Sequence, residues 1–459
     1  MPEYKLILLT FFMAALNIGL LLKPEYCAFL TIIFSQSSLS IPSLPAPISY
    51  IEIFYMVGFT FLLAILISNA VSGRLFRCEQ GYYGYVYGLI LVIIITMLFR
   101  GFGLNIAGTM QAGGKTYLTM LLSLGLILGS GSIGLSAGQW RAALIFMCCL
   151  GMIFLDINNP IDGGTGFFDY FSLKNEGARF IYGGSIGISL LLLFYILSVG
   201  KNMNTLIKYL MLIASFILIG MSGHRIAFIT AVLFIGIFNL IRNRDRSGKV
   251  KFMLRAFILF IALIVVLSAV VPYLPVSFQR GLTWLPFVKV SSLAKAQAQQ
   301  TIKWRVDIWR SVLPDVPRYL WIGKGCAFNR EEFLYLMDTR GGASLEKLML
   351  TGSYHNGPLG LIIKFGAISL ILLLGLWFVS CRKHMRLAQG EWHDQRIKGY
   401  HRVMLAYFIT RCLTFIFIFG SVDMLPRLLF LIVILEQLVS SDLKSKAREG
   451  LPTRLLNTG

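Results

Sequence analysis

The chain has 459 residues, of which 56% are hydrophobic and only 14% charged, and its formal net charge is +21. A soluble domain carries roughly a quarter charged residues, and apolar runs of about 17 or more residues suit a bilayer, so the composition excludes an ordinary soluble enzyme. The basic excess sits mostly in loops, where the positive-inside rule accounts for it and nucleic acid is not needed as a partner.

Lys5–Leu22 reads as a first membrane span, since it lacks a small-residue cleavage site. The short apolar run Cys27–Phe34 is too brief to cross and is expected to be interfacial or re-entrant, ahead of the Ser/Pro-rich patch SQSSLSIPSLPAP. Further spans are expected at about Ile48–Ile67, Tyr83–Phe99, Tyr117–Leu135, Ala142–Leu155, Ile181–Val199, Leu206–Met221, Ile226–Ile241, Phe252–Val271, Gly357–Val379, Val403–Phe419 and Leu428–Val439. The fold class is therefore all-α: a polytopic membrane protein with about 12 transmembrane helices and one long, largely helical extracytoplasmic loop. Its expected divisions are an N-terminal bundle (1–271), the loop (272–354), C-terminal transmembrane helices (355–440) and a tail (441–459). The seven cysteines are scattered, with neither metal spacing nor a disulfide framework.

Orientation follows from Lys and Arg. The link from Arg242 to Arg255 carries six basic residues, and the link from Cys381 to Arg402 carries six more. Both are expected in the cytoplasm, and Arg74, Arg77, Arg141, Lys201 and Lys208 then fall on the same side. Both termini become cytoplasmic, while Asp156–Phe180, Ser222–Arg225 and Pro272–Tyr354 face outward. The last segment is too long for a plain connector. Within it, Ser291–Val312 reads as a helix that pairs Lys303 with Asp307 and stops at Pro314. Four of the seven tryptophans, Trp284, Trp304, Trp309 and Trp321, lie in this segment, which suits a position at the headgroup level.

His384, His393 and His401 fall in a basic link and are expected to be solvated; His224 and His355 fall outside. His355 precedes a helix start in which Asn356 caps and Pro358 occupies the first turn. The positive end of that helix disfavours imidazolium and keeps the ring neutral, as a general base requires. Arg225 opens a span directly after His224. The outer segment holds eleven basic against six acidic residues, which points to an anionic ligand. Arg305 and Arg310, flanking Trp309, have the planar fork that phosphate oxygens favour. Each residue also has a bland reading: a snorkelling anchor for Arg225, a solvated helix face for Arg305 and Arg310, an interface anchor for His355. No Walker loop, dinucleotide turn, HExxH pattern or paired acidic motif occurs, so no cofactor and a metal-independent mechanism are expected.

Three stretches in order, Met221–Phe234 (MSGHRIAFITAVLF), Arg305–Asn329 (RVDIWRSVLPDVPRYLWIGKGCAFN) and Tyr354–Leu374 (YHNGPLGLIIKFGAISLILLL), together resemble the O-antigen ligase and O-antigen polymerase superfamily of membrane glycosyltransferases. His224, Ile229 and the Lys364–Phe365 pair depart from the usual pattern. The resemblance implies a glycan donor on undecaprenyl diphosphate and an acceptor sugar hydroxyl, on lipid A–core for a ligase or on another lipid-linked glycan for a polymerase. It implies an inner-membrane enzyme whose active site faces the periplasm, inverting the anomeric centre. By the same analogy His355 is the general base, Arg225 and Arg305 stabilise the leaving diphosphate, and Arg310, His224, Asn356 and Lys364 contact substrate. A flippase or transporter for lipid-linked glycans is the rival from another class; it would spread charges through the spans, whereas most charges here sit at span ends, with Lys364 the exception.

Overall fold

The computed structural model describes residues 23–35, 40–42, 50–71, 81–103, 113–129, 135–153, 183–199, 204–243, 268–285, 287–327, 331–332, 352 and 354–449, with isolated positions at 254, 258, 261 and 265. The expected span Lys5–Leu22, most of Phe252–Val271, the segment Asp156–Phe180, the basic positions Arg74, Arg77 and Lys201, and the end of the tail lie outside the described residues.

The described part is helical, apart from one short antiparallel ladder between β1 (Ser40–Pro42) and β2 (Tyr50–Glu52). In chain order the first helices are α1 (Pro24–Phe34), α2 (Ile53–Val71), α3 (Tyr83–Arg100), α4 (Gly114–Gly129), α5 (Ala137–Ile153), α6 (Gly183–Ser198), α7 (Thr205–Met221) and α8 (Arg225–Arg242). The long connection contributes α9 (Val276–Gly281), α10 (Ser292–Val312) and α11 (Val316–Tyr319). The chain then forms α12 (Gly357–Phe365), α13 (Ala367–Gln389), α14 (Gln395–Phe417) and α15 (Leu425–Arg448). Among the described residues, three helices, α3, α8 and α13, are long and apolar enough to cross a membrane by length and composition, and six more are shorter apolar helices.

The apolar residues are distributed as a lipid-facing bundle requires. In α15 the run Leu428–Leu435 is almost wholly buried, and the helix packs against α4 and α14 at the centre. On α7 the outward residues Leu206, Leu210, Ile213 and Ile217 are exposed although apolar, and α13 exposes Ile368, Ile371 and Phe378 in the same way. Water would penalise such faces; lipid does not. Between α6 and α7, Gly187 lets the backbones approach, and Ser215 Oγ donates to the Gly187 carbonyl at 2.7 Å.

Two expectations change. The stretch Gly357–Val379 is not one helix: it breaks at Gly366, whose φ is +86°. The break frees two carbonyls and an amide, and the segment Leu320–Gly325 from the long connection satisfies them. Lys324 N donates to Ile363 O at 2.6 Å, Gly325 N to Lys364 O at 3.0 Å, and Ala367 N to Leu320 O at 2.7 Å. The Gly-Lys-Gly sequence is thus a docking strip, since a side chain at Gly323 would collide with the Lys364 carbonyl. Arg100 Nε clamps the same strip by donating to Gly323 O at 2.9 Å.

The histidines of the basic link are not all solvated. His384 and His401 are fully buried between α13, α14 and α15, with His384 Nδ1 and His401 Nε2 3.0 Å apart. Glu436 is the reason: it accepts from Lys383 Nζ at 2.6 and 2.8 Å, and its Oε1 lies 3.1 Å from His384 Nε2, close but poorly aligned for a hydrogen bond. α13 and α14 extend past the apolar runs, and the buried carboxylate on α15 gives their polar ends a partner. His393, in contrast, reaches Glu449 on the surface at 3.0 Å.

Candidate active site

The site is assembled where α9, α10 and the α12 entry meet the end of α8. Ser222–His224 makes the tight turn between α7 and α8, with Gly223 at φ +64° and its α-carbon facing the Ser277 carbonyl of α9. His224 O accepts from Ala227 N at 3.0 Å, which starts α8 with Arg225 as its first residue. From there the Arg225 guanidinium reaches across and donates to the Ala298 carbonyl of α10 at 3.1 Å.

α10 begins at Ser291, whose Oγ accepts from Ala294 N at 3.3 Å. Its stripe Ala298, Ile308 and Val312 is buried, and Arg305 lies on that same side at helical spacing. Ile308 and Val312 pack with Tyr354, Leu359 and Ile363, and this small core joins α10 to α12. Trp309 Nε1 then donates to the Tyr354 carbonyl at 2.8 Å, which pins the residue just before His355. Asn356 Oδ1 accepts from Leu359 N at 3.1 Å and caps α12, with Pro358 in the first turn.

Between those two anchors His355 takes φ +52°, a left-handed conformation that few side chains adopt. Its ring lies 4.8 Å from the Phe419 ring at 28° and 5.1 Å from the Trp304 ring. The Arg305 guanidinium sits 5.6 Å from the centre of the same Phe419 ring. Burial, and then the nearby Arg305 charge, hold the His355 pKa below its ordinary value, while the Asp423 carboxylate pulls the other way. Burial and Arg305 thus favour the neutral ring, the same direction expected from the helix start that follows it. Burial and the Arg225 charge likewise lower the Arg305 pKa, so the two guanidiniums face common space. Among the described residues no carboxylate forms an ion pair with either. Among the described residues, His355 Nδ1 and Arg305 Nε are enclosed without a hydrogen-bond partner. Buried polar atoms left open call for a specific explanation, and a ligand at this site is one.

The structure thus brings together Arg225, Arg305 and His355, with Asn356 supporting the backbone. It places the other expected residues elsewhere. Arg310 is on the exposed side of α10, off the Arg305 stripe, and His224 is exposed at the α8 cap. Lys364 is buried, but its side chain runs against Gly352 and its carbonyl serves the docking strip. Sequence reasoning did not single out Phe419 or Asp423, and it placed Trp304 only at the headgroup level. Phe419 and Asp423 lie in the α14–α15 turn, far along the chain, and an acidic residue in a turn between two apolar runs was the available signal for Asp423. Among the described residues no group of His, Cys, Asp or Glu could hold a metal ion.

The stretch that carries all these basic groups, residues 210–374, matches the family described as O-antigen ligase. Over this stretch, about a third of the chain, the sequence is similar to the O-antigen ligase superfamily. No curated protein matches the chain. This similarity and the apolar helices support a membrane protein of the O-antigen ligase or polymerase type, a glycosyltransferase class that takes a lipid-linked glycan donor and an acceptor. Arg225, Arg305 and His355 lie inside the matched stretch, whereas Phe419 and Asp423 lie beyond it.

Proposed function

We propose that the protein transfers a glycan from undecaprenyl diphosphate to a sugar hydroxyl, with lipid A–core as acceptor, at the periplasmic face of the inner membrane. One observation carries the reading: the His355 imidazole and the Arg305 guanidinium share the Phe419 ring, with the Arg225 guanidinium beside them. A base and a preorganised cationic pocket, side by side, are what displacement of a diphosphate requires.

In the proposed step the acceptor hydroxyl oxygen attacks the anomeric carbon from the face opposite the diphosphate. The unprotonated nitrogen of His355 takes the hydroxyl proton. The bond from the anomeric carbon to the diphosphate oxygen breaks, and its electron pair stays on the diphosphate, whose growing charge Arg225 and Arg305 stabilise. Single displacement inverts the anomeric centre. General-base assistance contributes about 10²–10⁴-fold to such a step.

The test is reconstitution in proteoliposomes with a lipid-linked glycan and lipid A–core. Glycan on lipid A–core supports the ligase reading. Lengthened glycan on undecaprenyl diphosphate would replace it with a polymerase, and absence of both products overturns the transferase reading.

A further inference from the structure

Arg280 closes α9 and is only 7% exposed. Its Nη2 donates to Thr301 Oγ1 at 2.8 Å, and that hydroxyl donates onward to Gln297 O at 3.0 Å. Among the described residues its Nη1 is enclosed and has no acceptor. Among the described residues no carboxylate pairs with it. A buried cation with an open donor is costly unless an anion completes it.

The backbone under Arg280 is held firmly. Gln279 Nε2 donates to Leu274 O at 2.8 Å, and Gln279 Oε1 accepts from Ser291 N at 2.6 Å. The same amide therefore ties α9 to the start of α10. Gly281, next in the chain, lies against Phe228 of α8 and approaches Gly223. Arg280 is thus fixed between the Arg225 turn and α10.

The placement along α10 is regular. Arg225 bonds at Ala298, Arg280 bonds at Thr301, and Arg305 follows one turn later. Positions 298, 301 and 305 share one helical face. At 1.5 Å per residue they span about 10 Å. One guanidinium fork is filled by two oxygens of one phosphate, so a second linked phosphate leaves oxygens for a second fork.

We infer that Arg280 is a third guanidinium of the anion site and binds the phosphate of a lipid diphosphate that lies farther from His355. This rests on the reading of the site as a diphosphate site. Arg305, which shares the Phe419 ring with His355, then holds the phosphate next to the sugar.

The experiment measures binding of inorganic diphosphate and of inorganic phosphate to the full chain in nanodiscs, alongside glycan transfer. Wild type is expected to bind diphosphate more tightly than phosphate. Arg280→Gln is expected to lose about 10- to 100-fold in diphosphate affinity, the loss typical of a charged hydrogen bond, with little change in phosphate affinity. Thr301→Val, which removes the hydroxyl under Arg280 at nearly constant volume, should lose part of it. Lys303→Gln, on the exposed side of α10, controls for general charge and should lose less than twofold. Diphosphate affinity unchanged in Arg280→Gln, an equal loss in Lys303→Gln, or no diphosphate binding by wild type each overturns the inference. Arg280-dependent diphosphate binding without any glycan transfer would instead refute the proposed activity and leave the inference standing.

Discussion

His355→Asn separates chemistry from packing at the centre of the site. Asparagine accepts a positive φ at least as readily as histidine, so the +52° backbone is retained and its strain, about 1 kcal/mol, is eased. The enclosed, unpartnered Nδ1 disappears, which relieves a further ~1–3 kcal/mol of desolvation cost unless the new amide is orphaned in its place. Against this, the ring contacts with Phe419 and Trp304 are lost, at about 0.5–1.5 kcal/mol each. The terms nearly cancel, so stability should stay within ~1 kcal/mol, a melting shift of a few degrees at most. Transfer should fall by about 10²–10⁴-fold, because an amide cannot take the acceptor proton. The assay pairs lipid-linked glycan turnover in proteoliposomes with thermal unfolding of the same preparation. Near-normal turnover would remove His355 from the chemistry. Activity lost only in proportion to lost folded protein would make the residue an anchor.

Four other outcomes follow from the geometry. The His355 pKa is depressed, so its base form persists below pH 6.5; the acid limb of kcat/KM should lie under that value, move upward in Arg305→Gln and downward in Asp423→Asn, as a pH–rate series would show. Trp309→Phe removes the 2.8 Å bond that holds Tyr354 O, and should cut kcat by about 10- to 100-fold through misplacement of the next residue, with diphosphate affinity unchanged in a direct binding measurement. Gly366→Ala places a Cβ against the Trp321 carbonyl at φ +86°, and thermal unfolding should report a loss of at least ~1 kcal/mol. Glu436→Leu removes the buried carboxylate that pairs with Lys383 and should lower stability by ~1–3 kcal/mol in the same assay; no loss would mean that the buried cluster is dispensable.

Composition and periodicity were enough for the helical class, because a bilayer leaves the backbone few alternatives and apolar runs record that constraint directly. The α10 helix, its Ser291 start and Pro314 stop, and the Asn356 cap were legible for the same local reason: the interacting atoms lie within one helical turn. The grouping of Arg225, Arg305 and His355 was anticipated from three motifs, but the contacts that hold them are separated by many residues. Arg225 meets Ala298, Trp309 meets Tyr354, and Phe419 joins His355 to Arg305. Only the packing decided these, as it decided that Lys364 serves the docking strip, that Arg310 faces away, and that His384 and His401 are buried. A charge at a span end looks alike in sequence whether it meets water, an ion partner or an open ligand site. The difference is one of desolvation and of partners from distant segments, and those exist only once the chain is folded.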